Sequence, residues 1–263
     1  MSSAHLDTCA RDNLPTVEQQ PQFMFDLPEL QFPSQLNCAS ALLDQHVTEG
    51  NGSRVCIRAP GLTWTYADLQ AKANRIANVL VHDMGVVPGN RVLLHAPNNA
   101  MMVACWFAVM KVGAIAVATM PLLRANELKS VVDKAQIRQA LCDAHLDAEL
   151  KLAAQQCAVL QCVRYFNGES PESADSVEAA MACHSAEFTN ADTASDDTCI
   201  IAFTSGTTGI PKATMHFHRD VMAICACWPG HVLKPTADDI FIGSPPLAFT
   251  FGLGGLVLFP LSV

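Results

Sequence analysis

Residues 198–212 read TCIIAFTSGTTGIPK, and the division of that stretch decides the fold. Thr198–Phe203 is a short apolar run around two adjacent isoleucines, which predicts a strand buried on both faces. Thr204–Lys212 changes character at once. Thr204, Ser205, Thr207 and Thr208 bring hydroxyls, Gly206 and Gly209 a permissive backbone, Pro211 a stiff exit and Lys212 a compact positive charge. Glycine lets main-chain N–H groups approach an anion closely, and hydroxyls donate further hydrogen bonds to its oxygens. With a buried strand before it and a helix from about Arg219 to Trp228 after it, the loop suits phosphate. It is not a Walker loop, which needs Gly before the lysine and Ser or Thr after it; here Pro211 and Ala213 flank Lys212. A bland flexible turn would not need to end in Pro-Lys behind a buried strand.

Toward the N-terminus, strands and helices alternate. Residues 54–59 and Leu62–Tyr66 read as a hairpin turning at Pro60-Gly61. Thr65, with Asp68 three residues on, caps a helix whose apolar stripe is Leu69, Ala73, Ile76, Leu80 and Met84. Then come a strand at Arg91–Ala96, a helix over Ala100–Val112 capped by Asn98 or Asn99, and a strand at Ala114–Thr119. A helix over Asn126–Gln136, a strand at Gln139–Cys142, a helix near Asp147–Gln156 and a strand at Val159–Tyr165 continue the series. Such alternation predicts an α/β fold with a mostly parallel sheet flanked by helices. Residues 167–197 read as a surface connection, partly helical at Asp175–Cys183, and Asp239–Ile242 reads as a further strand. Residues 1–37, rich in Pro, Gln and Asp, read as a loose lead-in, so the domain is taken as 38–263.

Half of the 263 residues are hydrophobic and 16% are charged, which favours a globular chain. The net charge is −9 and no basic run occurs, arguing against nucleic acid or an anionic membrane as partner. An anionic ligand must be held by local groups. The polar first residues have no apolar signal-peptide core. Ala100–Leu123 mimics a membrane span, but Lys111, Gly113 and Pro121 break it into a buried helix and a buried strand. The eleven cysteines are scattered without zinc-ribbon spacing, and read as reduced thiols of a cytoplasmic protein. His216, His218 and Asp220 invite a metal site. Two histidines two apart at a helix start do not face one ligand, so packing or supporting roles are expected and no protein-held metal.

TSGTTGIPK resembles, along all nine residues, the phosphate-loop signature of the adenylate-forming superfamily: acyl- and aryl-CoA synthetases, adenylation domains of peptide synthetases, and luciferases. The resemblance runs from about residue 38 to 263 and includes LTWTYADL, VPGNRVLLHAPN and KVGAIAVATMPLL. PKATMHFHRDV and SPPLAFTFGLGGLVLFPL are most similar to aryl-CoA ligases of the benzoate and 2-aminobenzoate type. The resemblance implies an ATP-dependent ligase that joins a small carboxylic acid to coenzyme A through an acyl-adenylate, with Mg2+ accompanying ATP. It gives Thr204, Ser205, Gly206, Thr207, Thr208, Gly209 and Lys212 to the phosphates, with Thr204 and Lys212 nearest the chemistry. It gives Phe249, Thr250, Phe251 and Gly252 to the acid, where aromatics beside glycine make a flat slot for a ring. By spacing alone these four would be ordinary core.

Two positions depart from the pattern. Ala213 stands where many relatives have glycine, and Phe249 where many acyl-CoA synthetases have histidine. Lys212 is a loop lysine, separate from the adenylation lysine that relatives carry near their C-terminus. The charge-free ending Phe249–Val263 reads as chain to be buried by further protein, so the sequence is read as an N-terminal fragment, an incomplete N-terminal domain of this fold. The adenine pocket, the ribose-binding acid, the hinge and the lid domain would lie beyond it, and the fragment alone would be inactive. Two rivals stay open: a truncated, non-catalytic remnant, and an adenylating enzyme whose acceptor is a carrier-protein thiol.

Overall fold

In the computed structural model, which describes residues 2–170, 172–204 and 212–263, the first long helix is α1 over residues 38–49, ended by Gly50 at φ +91. Strands β1 (Val55–Ala59) and β2 (Leu62–Thr65) follow as an antiparallel hairpin. Helix α2 (Tyr66–Asn78) starts where two residues cap each other. Thr65 Oγ1 accepts the Asp68 N–H at 3.1 Å, and the Asp68 carboxylate accepts the Thr65 N–H at 2.9 Å. Leu69, Ala73 and Ile76 recur at helical spacing and are fully buried.

The central sheet is built from β3 (Arg91–His95), β4 (Ile115–Thr119), β5 (Gln139–Asp143), β6 (Cys162–Phe166), β7 (Thr198–Thr204) and β8 (Lys212–Phe217). Their order is β6-β5-β3-β4-β7-β8, parallel throughout except for the antiparallel β7–β8 pair. Between them run α3 (Ala100–Lys111), α4 (Ala125–Ala135), α5 (Asp147–Ala154) and α6 (Val177–Ala182). After β8 come α7 (His218–Cys227) and α8 (Thr250–Leu253), the latter prolonged by further helical turns to Leu261.

Alternating side chains divide the core into two. Val92, Leu94 and Ile200 pack with α2, α3, α6, α7 and α8 on one face, while Leu93, Val117 and Ile201 pack with α4 and α5 on the other. The result is a three-layer sandwich with apolar, doubly covered strands, as parallel pairing demands. The chain leaves β3 for β4 on one side, then returns past β3 to β5 on the other. Doubly wound sheets bind ligands outside the carboxyl ends of their strands, near such a reversal.

The membrane-like run separates as its sequence suggested. Every residue of α3 is buried in protein, Gly113 turns the chain with φ +73, and β4 enters the sheet. A Cβ on Gly113 would lie 2.8 Å from the Ala191 Cβ. Among the described residues no helix is long and apolar enough to cross a membrane.

Four features differ from the sequence reading. Helix α1 was not anticipated, although Cys38, Ala39, Leu42 and Leu43 bury its inner side. Strand β8 was missed, so the loop leaves into a strand and only then reaches a helix. The helix itself begins at His218, beside the expected Arg219. Asp239–Ile242 is not a strand: Ile240 and Ile242 are 72% and 95% exposed, and the segment pairs with no strand among the described residues. Its apolar run lacks a partner, and Arg54 instead holds the chain by donating to the Ala237 carbonyl at 2.6 Å.

The lead-in is not loose at its start. Ser3 Oγ and the Ala4 N–H donate to the Asp197 carboxylate, whose side chain is fully buried, and Arg11 pairs with it at 3.0 Å. Asp7 pairs with buried Arg91 at 2.6 Å and accepts from Asn90 at 2.9 Å. Gly89, at φ +88, gives this segment room, because a Cβ there would meet the Asp7 carbonyl oxygen at 2.2 Å. Buried charges need partners, and the polar N-terminal residues supply them.

Candidate active site

Thr204 ends β7 and Lys212 begins β8, and the two are paired in register. Both are exposed, at the carboxyl edge of the sheet. Residues 205–211, which include Ser205, Gly206, Thr207, Thr208 and Gly209, lie outside the described residues. Lys212 makes no ion pair with another described residue, which leaves its ammonium available to an anion.

Strand alternation fixes what lies below Lys212. Ala213 and Met215 pack into the α4–α5 core. Lys212, Thr214 and His216 therefore share the opposite face. Two residues along a strand span about 7 Å, so this polar line runs about 13 Å inward from the hairpin edge. Thr214 Oγ1 donates to the Ala202 carbonyl at 3.1 Å and lies 3.2 Å from His216 Nε2. Burial holds the His216 imidazole below its ordinary value of 6.5, partly opposed by the nearby Asp220 carboxylate. At neutral pH it is an uncharged hydrogen-bonding group.

His216 is one wall of a cavity of about 470 Å³, a size that suits a small organic ligand. Ile200 of β7 adjoins it, and α7 contributes Asp220, Val221, Ile224 and Cys227. Trp228 and the α8 region, through Thr250, Phe251 and Leu258, complete an apolar cleft that stays open to solvent on one side. Asp220 also accepts the Phe217 N–H at 2.9 Å, securing the start of α7. The cavity offers a ring-sized apolar space with few polar groups, on the face of the hairpin that carries Lys212.

Of the residues the sequence put forward for the acid, Thr250 and Phe251 line this cavity, and Phe251 is 79% exposed. Phe249 and Gly252 do not line it. Phe249 instead precedes the first turn of α8, its N–H donating to the Pro246 carbonyl at 3.1 Å. Gly252 is buried against the Pro245–Pro246 backbone, where a Cβ would lie 2.2 Å from the Pro246 oxygen. The structure thus joins Thr204 and Lys212 at the edge, and Thr250 and Phe251 at the cavity. His216, Asp220, Ile224 and Trp228 were not singled out for the acid. Their signal is present in retrospect: Lys212, Thr214 and His216 alternate at strand period, and Asp220, Ile224 and Trp228 recur every fourth residue, on one side of a helix.

The sequence profile of one family, described as AMP-binding enzyme, matches residues 43–263. The benzoate–CoA ligase of Thauera aromatica is 26% identical over 236 residues, covering 90% of this chain and 44% of that protein. The 4-hydroxybenzoate–CoA/benzoate–CoA ligase of Rhodopseudomonas palustris is 24% identical over 229 residues, covering 86% of this chain and 42% of that protein. Among solved structures, the anthranilate CoA ligase AuaEII in complex with anthranoyl-AMP matches with a TM-score of 0.85 and 24% identity, over 90% of this chain and 45% of that one. ATP-bound MatB from Rhodopseudomonas palustris matches with a TM-score of 0.75 and 26% identity, over 86% and 43% of the two chains. The chain spans less than half the length of these relatives.

Proposed function

The chain belongs to the family of AMP-binding enzymes, and on that footing we propose that it carries the phosphate and acid sites of an ATP-dependent acid–CoA ligase for aromatic carboxylates. The observation that carries this reading is the apolar cavity lying on the same hairpin face as Lys212. A carboxylate resists nucleophilic attack because of its charge. In the proposed reaction its oxygen attacks the α-phosphorus of ATP, and the bond to pyrophosphate breaks. The acyl-adenylate then has AMP as a good leaving group, and the coenzyme A thiol displaces it to form the thioester.

Each residue's proposed part is positional or electrostatic. Thr204 and Lys212, with the hydroxyls and backbone of residues 205–209, hold the β- and γ-phosphates. The exposed hydroxyl and ammonium at the hairpin ends suit a magnesium–triphosphate chelate, whose metal supplies charge neutralisation; no described residue is assigned as its ligand. Neutral His216 is a polar group at the cavity wall, its ring held by Thr214. Ile224, Trp228, Thr250 and Phe251 enclose the ring, with the benzoate and 2-aminobenzoate type favoured by the relatives' names. The free cysteines suit a reducing compartment, which supports a cytoplasmic location.

Calorimetric titration of the chain with benzoate, 2-aminobenzoate and octanoate, with and without Mg-ATP, tests the assignment. Saturable binding of the aromatic acids above octanoate is expected. Equal or tighter binding of octanoate removes the aromatic assignment, and Mg-ATP binding without any acid binding removes the cavity as an acid site.

A further inference from the structure

Three soft side chains from distant parts of the sequence meet beneath β7. Cys38 lies at the start of α1, Cys199 is the second residue of β7, and His218 is the first of α7. All three are 0% exposed. Their ligating atoms lie within 4.8 Å of one another. His218 Nδ1 stands 3.2 Å from Cys38 Sγ and accepts the Cys38 backbone N–H at 3.2 Å. That contact places the ring proton on Nε2, which finds no partner among the described residues. Histidine binds metal through its unprotonated nitrogen; here that lone pair accepts the Cys38 N–H, and an ion would take the place of that hydrogen bond.

We propose that Cys38, Cys199 and His218 form a buried site for a thiophilic divalent ion of the zinc type, separate from the magnesium that accompanies ATP. Two thiolates and a neutral imidazole around a divalent ion sum to zero charge, the balance a fully buried site requires. Zinc holds sulfur at about 2.3 Å and imidazole nitrogen at about 2.0–2.1 Å, which puts the two ligand atoms about 3.5 Å apart in a tetrahedron. The 3.2 Å between Cys38 Sγ and His218 Nδ1 needs only a small opening to reach that separation. Both sulfurs bind as thiolates, so uptake of the ion releases protons. The ion would tie α1, β7 and α7 together five residues before the hairpin edge at Thr204.

The test is a titration of the whole chain, stripped with chelator and held reduced, with Zn2+ and with Cd2+ as its spectroscopic counterpart. One tight equivalent is expected, with a thiolate-to-cadmium charge-transfer band, proton release on binding and a raised melting temperature. X-ray absorption of the one-equivalent zinc form should show two sulfurs and at least one imidazole nitrogen. Cys199→Ser should lose the tight equivalent, and Cys183→Ser, at an exposed cysteine, should keep it. The absorption measurement on the unaltered chain decides the matter even if Cys199→Ser fails to fold. No tight equivalent, a shell without sulfur or with three or more sulfurs, or an undiminished equivalent in folded Cys199→Ser would overturn the site. A Cys38–Cys199 disulfide in protein isolated with zinc present would also overturn it.

Discussion

Lys212 is exposed at the end of β7–β8 pairing and has no described counter-charge, so it contributes little to the fold and is free to serve a ligand. Lys212→Ala is expected to weaken Mg-ATP binding about tenfold or more, the scale of one charge-assisted hydrogen bond, while aromatic-acid binding and the melting temperature stay unchanged. Parallel calorimetric titrations check it, and unchanged ATP affinity would remove the lysine from the phosphate site. Ile224 gives the complementary probe, since it faces the cavity from α7 and is itself 41% exposed. Ile224→Trp should fill the space a ring would take and lower aromatic-acid affinity about tenfold or more, on the footing that a site rejects what it cannot contain, with ATP binding kept. If acid affinity is retained in the folded variant, the ring does not lie in this cavity.

At the scale of elements, the helix starts are local devices. The Thr65–Asp68 box begins α2, and Asn99 caps α3 by accepting the Met102 N–H at 2.8 Å. Thr65→Ala is expected to destabilise the chain by about 1 kcal/mol, read as a lower urea midpoint with an unchanged slope; an unmoved midpoint would mean that packing alone starts α2. Such locality explains what could be read from sequence. Capping pairs, the alternation of apolar strands with amphipathic helices, and the hydroxyl–glycine loop all announce themselves within a few residues. Strand β8 does not, because Lys212–Phe217 needs β7 across the loop to become a strand, and it abuts a helix start that reads more strongly. Asp239–Ile242 shows the converse, a strand-like apolar run with no partner among the described residues. Of the four residues the sequence put forward for the acid, Thr250 and Phe251 line the cavity and Phe249 and Gly252 do not. His216 and Trp228 were not legible in the sequence, since only the turn from β8 into α7 brings them to one cavity. The approach of Cys38 and Cys199 to His218 is likewise a product of the fold, invisible to any spacing rule.

Across the whole molecule, the polar N-terminal residues act as counterparts to charges buried far away in sequence. Burial pushes the Asp197 carboxyl up, but hydrogen bonds from Ser3 and Ala4 outweigh it and hold the group below its ordinary 3.8; Asp7 is held low in the same way by Cys9 and Arg91. Removal of residues 1–13 is expected to destabilise the chain by about 2 kcal/mol or more, the scale of charged hydrogen bonds lost at a buried acceptor. Thermal and urea unfolding check this, and an unchanged stability would show the segment to be ornamental. The histidines set a different pH window. Burial keeps His5, His95 and His216 below 6.5, so as pH falls past 6.5 the unfolded chain binds protons that the folded chain refuses, and stability declines. The contribution of Asp7 and Asp197 persists until pH drops below 3.8 and is then lost. Urea midpoints should therefore fall in two stages, and a flat profile between pH 6.5 and 5 would contradict the first. The pairing of Thr204 with Lys212 also constrains how the sequence can change. Seven residues separate them, and both ends are clamped by the ladder. An insertion or deletion that slid β8 by one place would exchange its two faces. Lys212, Thr214 and His216 would turn toward the α4–α5 core, and Ala213 and Met215 toward the cavity. Loop length is thus subject to parity: even shifts of β8 preserve which side carries the polar line, and odd shifts invert it, even where every residue of the loop signature is retained.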